Sequence, residues 1–354
     1  MNLLNSLLRK PFFIKLLHWE YWSFNTVYGP IIPIWLVLCA RARSFFFFSA
    51  SNPTIMNGGF LMESKKQIYD LLPEGFYPRT LFFALPAKGE CVVNAVRTAG
   101  LKYPLIAKPD VGGRGRGVRK VNNEEELVGY SQESALDFLV QEYVPFANEV
   151  GIFYVRMPGE SKGRITGIVS KEFLAVTGDG VHSMRELVMQ EKRFILQLPA
   201  LEIMFGSRLN EVLQAGEKRE LVPYGNHARG AKFLDHSHLA DDALLNAMDE
   251  LCRQIEGFHY GRLDIRFESW DLMKQGKSYS VIELNGAGAE PTHMYDPKHS
   301  LFFAWKEIIR HWYILFRISR RNHKKGIPYM SFSEGRRMFR ENSEFEKKIA
   351  RLYV

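Results

Sequence analysis

The sequence predicts an α+β fold with mixed sheets. Short apolar runs rich in β-branched and aromatic residues alternate with helical stretches from about residue 44 onward, and no internal repeat is visible. Of the 354 residues, 46% are apolar and 24% charged, the balance of a globular chain rather than a disordered one. At roughly 100–200 residues per domain, the length implies two or three subdomains. The two ends differ from the middle in being apolar, aromatic and basic.

Taken in order, Phe45–Ala50 is an apolar strand candidate. Ser64–Leu72 is helical, with Ser64 placed to accept from a free backbone N–H of the first turn. Pro78-Arg79-Thr80 leads into a strand at Leu81–Ala84, and Ala87–Ala99 is a helix that Gly100 stops. Leu105–Lys108 is a strand running into a glycine loop, and Phe138–Val144 is another strand. Ile152–Val155 and Ile165–Ser170 form a hairpin across the turn residues Pro158, Gly159 and Gly163. Helices follow at about 183–197 and 239–256. Leu263–Glu268 and Ser280–Leu284 make a strand pair separated by the polar turn Lys274–Lys277. Leu301–Ser319, free of Gly and Pro, is a helix apolar around most of its circumference, and Ser333–Val354 is a charged helix.

The formal charge is +8, from 47 Lys and Arg against 39 Asp and Glu. Residues 1–60 carry five basic residues and one acidic, and residues 301–354 carry thirteen against five, which leaves the middle at about −4. Phe24–Ala40 is uncharged over 17 residues, but Gly29, Pro30 and Pro33 interrupt it. A spanning helix needs about 20 apolar residues. Arg41 and Arg43 stand where a signal peptide would place small residues for cleavage. The pattern predicts a segment lying in a membrane interface. Trp19, Tyr21, Trp22 and Trp35 would sit at headgroup depth, with Arg9, Lys10, Lys15, Arg41 and Arg43 facing lipid phosphate. Burial in the fold, a homodimer contact and a true span are the alternatives. Arg317, Arg320, Arg321, Lys324 and Lys325 follow the apolar C-terminal helix and would attract anionic lipid. No nucleic-acid recognition motif accompanies this charge. Three cysteines, Cys39, Cys91 and Cys252, are too few and too scattered for a disulfide framework or a thiolate zinc site. They suggest a reducing compartment, and so a cytoplasmic protein peripheral to the inner face of the membrane.

Two motifs carry chemistry. Lys108-Pro-Asp-Val-Gly-Gly-Arg114-Gly-Arg116-Gly-Val118 holds four glycines in six residues, which lets backbone N–H groups turn toward an anion. It is neither a Walker A loop nor a dinucleotide fingerprint, and a flexible basic surface loop is the alternative. Downstream, Arg262-Leu-Asp264-Ile-Arg266 and Val281-Ile-Glu283-Leu-Asn285 lie in two strands. Residues i and i+2 share a strand face. If the strands pair, Asp264, Glu283 and Asn285 converge as a hard-oxygen set suited to Mg²⁺, with Ile265, Ile282 and Leu284 on the opposite face. The alternative is a cross-strand charge pair on a solvated sheet.

These motifs, in this order, resemble the ATP-grasp superfamily over about residues 45–300. The resemblance implies an ATP-grasp fold of two α+β subdomains clasping ATP. The implied divisions are an aromatic and basic segment at 1–44, a small preceding α/β domain at 45–103, the ATP-grasp domain at 104–300 and basic helices at 301–354. Lys108 and the loop with Gly113, Arg114 and Gly115 resemble the phosphate lysine and lid. Gln141-Glu142-Tyr143-Val144, with Glu149 seven residues after Glu142, resembles the hinge that meets adenine and the ribose hydroxyls. Lys65 is similar to a second phosphate lysine, with Lys66 as a rival. Asp264, Glu283 and Asn285 match the metal end, for one or two Mg²⁺ ions with Mn²⁺ as a substitute, and Arg262 is implied at the reacting acyl phosphate.

Gly178–Val188 and Asn226–Ala231 look like segments of the carboxylate–amine ligases, such as D-alanine–D-alanine ligase, cyanophycin synthetase and the glutathione-forming ligases. The implied reaction joins a small-molecule carboxylate to an amine through an acyl phosphate, releasing ADP and phosphate. Gly286-Ala-Gly-Ala-Glu290-Pro-Thr-His293 departs from the ligase pattern, as does Arg229 within the Asn226 segment. Lys171, Arg229, Glu290 and His293 are the candidate substrate contacts. Two rivals stay open: an ATP-grasp kinase that stops at phosphorylation, and a catalytically silent nucleotide-binding module at a membrane.

Overall fold

The computed structural model describes residues 9–87, 89–113, 115–222 and 230–352. Capping chemistry sets many helix starts. Ser64, Asn123, Ser183, Asp241 and Ser269 each accept from the backbone N–H three residues on. The helices are α1 Pro11–Leu17, α2 Phe24–Tyr28, α3 Ile32–Ala42, α4 Lys65–Leu71, α5 Gly89–Thr98, α6 Glu124–Glu133, α7 Met184–Gln190, α8 Lys192–Ile195, α9 Leu198–Phe205, α10 Asp242–Gln254, α11 Trp270–Lys274, α12 Leu301–Lys324 and α13 Phe332–Leu352. The strands are β1 Thr80–Phe83, β2 Leu105–Pro109, β3 Arg119–Val121, β4 Phe138–Glu142, β5 Asn148–Val155, β6 Arg164–Glu172, β7 Leu174–Thr177, β8 Lys218–Val222, β9 Lys232–Asp235, β10 Tyr260–Phe267 and β11 Tyr279–Asn285.

The chain divides into two compact units. The larger comprises Pro33–Ile168, His236–Pro291 and Ile308–Val354, and the smaller comprises Met1–Ile32, Val169–Asp235 and Thr292–Glu307. In the larger unit, β1-β4-β2-β3 form an antiparallel sheet. Val92 and Val96 of α5 and Leu127 and Tyr130 of α6 cover it through Leu105, Ala107, Phe138 and Val140. The neighbouring strands β11-β10-β5 pair antiparallel in a second sheet, followed by β6. This sheet is buried on both faces. Leu244, Met248 and Leu251 of α10 pack on Ile152, Leu263 and Ile265, while Phe47, Phe48, Leu315 and Phe316 pack on Phe153, Val155 and Tyr260.

In the smaller unit, β7 and β8 pair beneath α7 and α9, and Val169–Glu172 of β6 pair with β9. The Trp19 indole donates to the His299 carbonyl at 2.9 Å and stacks on Tyr295.

Several expectations need correction. Phe45–Ala50 is not a strand. Phe47–Ala50 form a 3₁₀ turn, with Phe47 and Phe48 both buried in the aromatic cluster behind the second sheet. Residues between β10 and β11 form the short helix α11 as well as a turn, because Ser269 caps it. The strand pairs described above are antiparallel throughout, where alternating elements suggested mixed sheets. Phe24–Ala42 stays helical through Gly29–Ile31, because Pro30 and Pro33 fall in first turns, where a missing N–H is harmless. This stretch is long and apolar enough to cross a bilayer by length and composition, and 28% of it is buried. The tryptophans do not stand free for a headgroup layer. Trp35 packs on Phe47 and Trp312, and Trp22 donates to the Leu16 carbonyl.

One contact orders the larger unit. Asn52, fully buried, accepts from the His259 and Tyr260 N–H groups at 2.9 and 3.0 Å. Its amide donates to the Gly58 and Tyr260 carbonyls at 3.0 and 2.8 Å. The chain at Gly58–Gly59 then lies directly on the chain leaving β11, with Ala287 N–H donating to Gly58 O at 2.9 Å and Gly288 N–H to Gly59 O at 2.8 Å. A Cβ on Gly286 would lie 2.6 Å from the Gly58 oxygen, so only glycine permits this approach. Asn52→Ala strands two buried N–H groups, each costing ~1–3 kcal/mol. We expect urea unfolding to show a loss of at least about 2 kcal/mol; an unchanged midpoint would remove Asn52 from this role.

Candidate active site

The contact between Gly58–Gly59 and Gly286–Gly288 carries the next residues, Phe60–Lys65, to the end of β11. There a cavity of about 140 Å³ is lined by Glu63, Lys65, Tyr69, Gly112, Gly113, Glu283 and Asn285, with Asn342, Phe345 and Glu346 of α13 closing it. Small-molecule pockets commonly run ~300–1,000 Å³. The cavity therefore matches the phosphate end of a nucleotide rather than a whole one.

Helix α4 is anchored at its start by the loop it faces. Lys65 N–H donates to the Asp110 carbonyl at 3.1 Å, and Lys66 N–H to the Asp110 carboxylate at 2.8 Å. This separates the two rival lysines. Lys65 Nζ reaches the Asp110 and Gly112 carbonyls inside the cavity, whereas Lys66 pairs with Asp70 on the surface. Burial lowers the pKa of Lys65, and nearby Glu283 opposes that effect.

Lys108 lies behind Tyr69. Its Nζ donates to the Tyr69 hydroxyl at 2.8 Å, Gln141 Oε1 at 2.9 Å and the Ile282 carbonyl at 3.3 Å. Gln141 is oriented for this by its own donation to Thr80 Oγ1 at 2.7 Å. None of the three acceptors is charged, so burial brings the Lys108 pKa down to about 8, with Glu283 and Asp110 holding it up.

The β10–β11 pairing matches the expectation from the sequence in outline. Asp264 lies opposite Glu283 and Arg262 opposite Asn285. Leu284 and Ile265 face the core. Ile282 does not alternate with them. The register shifts there, pairing Ile265 with Val281, and the carbonyl of Ile282 is free to receive Lys108 and the Tyr69 hydroxyl.

Asp264 also departs from the expected open carboxylate. Arg262 grips it from the same strand, Nε to Oδ1 at 2.8 Å and Nη2 to Oδ2 at 3.2 Å. The shared face that brings Asp264 to the site also brings its cation. Burial opposes the Arg262 charge most strongly, but Asp264, Glu283 and Glu290 together outweigh it and raise the pKa. Arg262 further donates to the Glu290 carbonyl at 3.3 Å.

A residue missed by sequence reasoning is Glu63. Burial raises its pKa, Lys65 lowers it and Glu283 raises it again. Its one sequence signal is its place two residues before Lys65 and next to the cap Ser64. Among the described residues, no group of three or more His, Cys, Asp and Glu side chains is arranged to hold a metal. The hard donors on the cavity are Glu63, Glu283 and the amide oxygens of Asn285 and Asn342, with Glu346 there paired to Arg116. Asn285 Nδ2 is buried without a hydrogen-bond partner, so the fold leaves that amide uncommitted.

Other predicted residues lie elsewhere. Glu142 pairs with Arg79 at 2.9 Å, Tyr143 lies under Lys120 Nζ at 4.2 Å and Val144 is half-buried. Glu149 faces Arg266 at 3.6 Å across the β5–β10 register. None of these lines the cavity. Gly115 takes a φ of +67°, while Arg114 and Arg229 lie outside the described residues. Within the smaller unit, Lys171 pairs in register with Phe233, and His293 is buried with its imidazole 3.1 Å from Glu307.

The glycine loop is held by the C-terminal helix. Arg116 makes a two-pronged bond to Glu346 at 2.7 and 3.0 Å, and a Cβ on Gly112 would press on Ile349 and Phe345. Lys108 lies behind the cavity lining, and if it contacts a nucleotide phosphate as the resemblance implies, only its ammonium form attracts that phosphate. ATP affinity should therefore fall as pH rises through about 8. Lys108→Met should weaken binding below that pH and abolish the step. Equilibrium titration on either side of pH 8 checks this, and a wild-type affinity flat across that range would count against Lys108 as a phosphate contact.

No protein-family model and no curated protein matches this sequence. Solved structures do resemble it. A bifunctional glutathione synthetase from Pasteurella multocida is similar at 15% identity and a TM-score of 0.40, over 69% of this chain and 35% of that one. The VanG D-Ala:D-Ser ligase from Enterococcus faecalis is similar at 15% identity and a TM-score of 0.41, over 72% and 61%. D-alanine–D-alanine ligase from Bacillus anthracis is similar at 14% identity and a TM-score of 0.41, over 74% and 69%. The chain thus spans 35% of the first of these relatives and 61% of the second. Each is named as a ligase or a synthetase.

Proposed function

We propose that the protein is an ATP-dependent carboxylate–amine ligase. The observation that carries the reading is the convergence of Lys65, Glu63, Glu283, Asn285 and the glycine loop on one cavity. Glu283, Asn285 and the glycine loop come from the two motifs whose order resembles ATP-grasp ligases, and Lys65 and Glu63 join them from the start of α4. Free cysteines at positions 39, 91 and 252 fit the cytoplasmic placement.

The donor set fits Mg²⁺ and a nucleotide phosphate. Glu283, Asn285 and Glu63 offer hard oxygens on the cavity. Bound Mg²⁺–ATP supplies an electrophilic phosphorus and neutralises charge on the phosphates. The chain's residues do the positioning. Lys65 and Lys108 would draw the phosphates inward, and the glycine loop would cover them. Arg262, kept fully charged by Asp264, stabilises negative charge on the acyl group as the amine attacks. The loop excludes water, which would otherwise hydrolyse the acyl phosphate.

Glu283→Gln should abolish ATP turnover, because it removes a charged ligand without changing side-chain volume, and should lower the unfolding midpoint, because the buried Lys65 and Lys108 lose the carboxylate that opposes their desolvation. ADP release, screened over paired carboxylates and amines with mass detection of the product, should require both partners. Release with a carboxylate alone, yielding a stable phosphorylated product, would replace the ligase with a phosphotransferase. Turnover retained in Glu283→Gln would remove the metal assignment.

A further inference from the structure

Helix α3 is apolar on two sides, and the fold uses one. Leu38 and Cys39 are buried, and Trp35 packs on Phe47 and Trp312. On the outer side Ile34, Leu36 and Val37 are 38%, 50% and 56% exposed. A soluble helix normally carries polar residues there. Phe45, just past the helix, is 59% exposed, and its ring meets that of Phe332, which is 60% exposed.

Positive charge dominates this surface, with Glu334 two residues past Phe332 and Glu160 paired to Arg321 at 3.0 Å as its acidic neighbours. Residues 33–62 and 308–333 contain eight Lys and Arg and no Asp or Glu. Arg41 and Arg320 both lie over the Phe316 ring, at 5.6 and 5.9 Å, which places the end of α3 beside α12. Arg41, Arg43, Arg317 and Arg320 are exposed and form no ion pair among the described residues. Ile34, Val37 and Arg41 follow one another at helical spacing, so apolar surface and cation share a face.

We propose that this face of the larger unit docks on an anionic lipid bilayer. Exposed apolar side chains enter the acyl boundary while unpaired guanidinium groups meet lipid phosphate. A second copy of the chain is a poorer occupant. A two-fold interface sets a patch against itself, and this one would oppose a largely arginine surface to its own copy. The proposal is independent of the ligase reading, since none of these residues lines the cavity.

Vesicle flotation of the full chain tests it. The protein should rise with vesicles of phosphatidylcholine containing phosphatidylglycerol, and remain below with phosphatidylcholine alone. Added salt should reduce the floated fraction. Each arginine changed to glutamine among Arg41, Arg317 and Arg320 should weaken binding about fivefold. Val37→Ser should weaken it without changing the salt dependence. Circular dichroism confirms that each variant is folded. Failure to float with anionic vesicles at low salt overturns the proposal. So does equal flotation with neutral vesicles, or a lipid-free dimer in light scattering that the same substitutions dissociate.

Discussion

The candidate site depends on a place where two backbones touch with no side chain between them. Gly58–Gly59 and Gly286–Gly288 exchange hydrogen bonds at van der Waals distance, and Asn52 ties the first of these segments to the start of β10. Asn52 uses both ends of its amide, so it serves as a buried bracket between chain segments about 200 residues apart. That bracket works with the Asp110 bonds to the start of α4 and the Tyr69 bond to the Ile282 carbonyl to bring Glu63 and Lys65 beside Glu283. Each group that lines the cavity comes from a different local structure. The capped start of α4 supplies Lys65, the glycine loop supplies backbone, and the last turn of β11 supplies Glu283 and Asn285.

The electrostatics follow from this convergence. Two lysines are drawn into a low-dielectric interior with chiefly neutral oxygens for company, and Glu283 is the carboxylate that steadies both. A buried cation with neutral partners is costly, and its cost falls when an anion arrives. The bulge at Ile282 belongs to the same design. By adding a residue to one strand it frees a carbonyl for Lys108, which a regular ladder would have used within the sheet. Arg262 and Asp264 solve a different problem. Each satisfies the other, so the guanidinium stays charged and fixed without consuming Glu283.

The C-terminal helix gives the glycine loop a second boundary. Loops rich in glycine have little conformational preference of their own. Here Arg116 is tied to Glu346, and Gly112 lies against Ile349 and Phe345. The small cavity is therefore a property of the loop and of α13 together, not of the two sheets alone. Helix α13 also presses Gly335 against Phe46, which links it to the aromatic cluster on the back of the second sheet.

Much of this was legible in the residues themselves. Ser64 as a helix cap, Gly100 as a stop, the strands around Lys108 and Asp264 and the pairing of β10 with β11 all follow from local chemistry or from two-residue alternation. The same alternation made Arg262, Asp264, Glu283 and Asn285 neighbours in principle. What it could not foresee was competition for partners. Asp264 is taken by Arg262, and Ile282 leaves the pattern at a bulge, because side-chain packing decides which local option is used. Four consecutive phenylalanines read as a strand, yet Phe47–Ala50 form a 3₁₀ turn packed into the cluster behind the second sheet, a choice that the surrounding core makes. Glu63 and the residues of α13 were invisible for a related reason. Their role depends on which distant segments fold against them, and a position in sequence carries no information on that until the glycine contacts and the Asn52 bracket have set the distances. The sequence alone determined the alternating elements, the glycine loop and the facing strands; the tertiary structure decided which of two lysines enters the cavity, because only burial distinguishes Lys65 from Lys66.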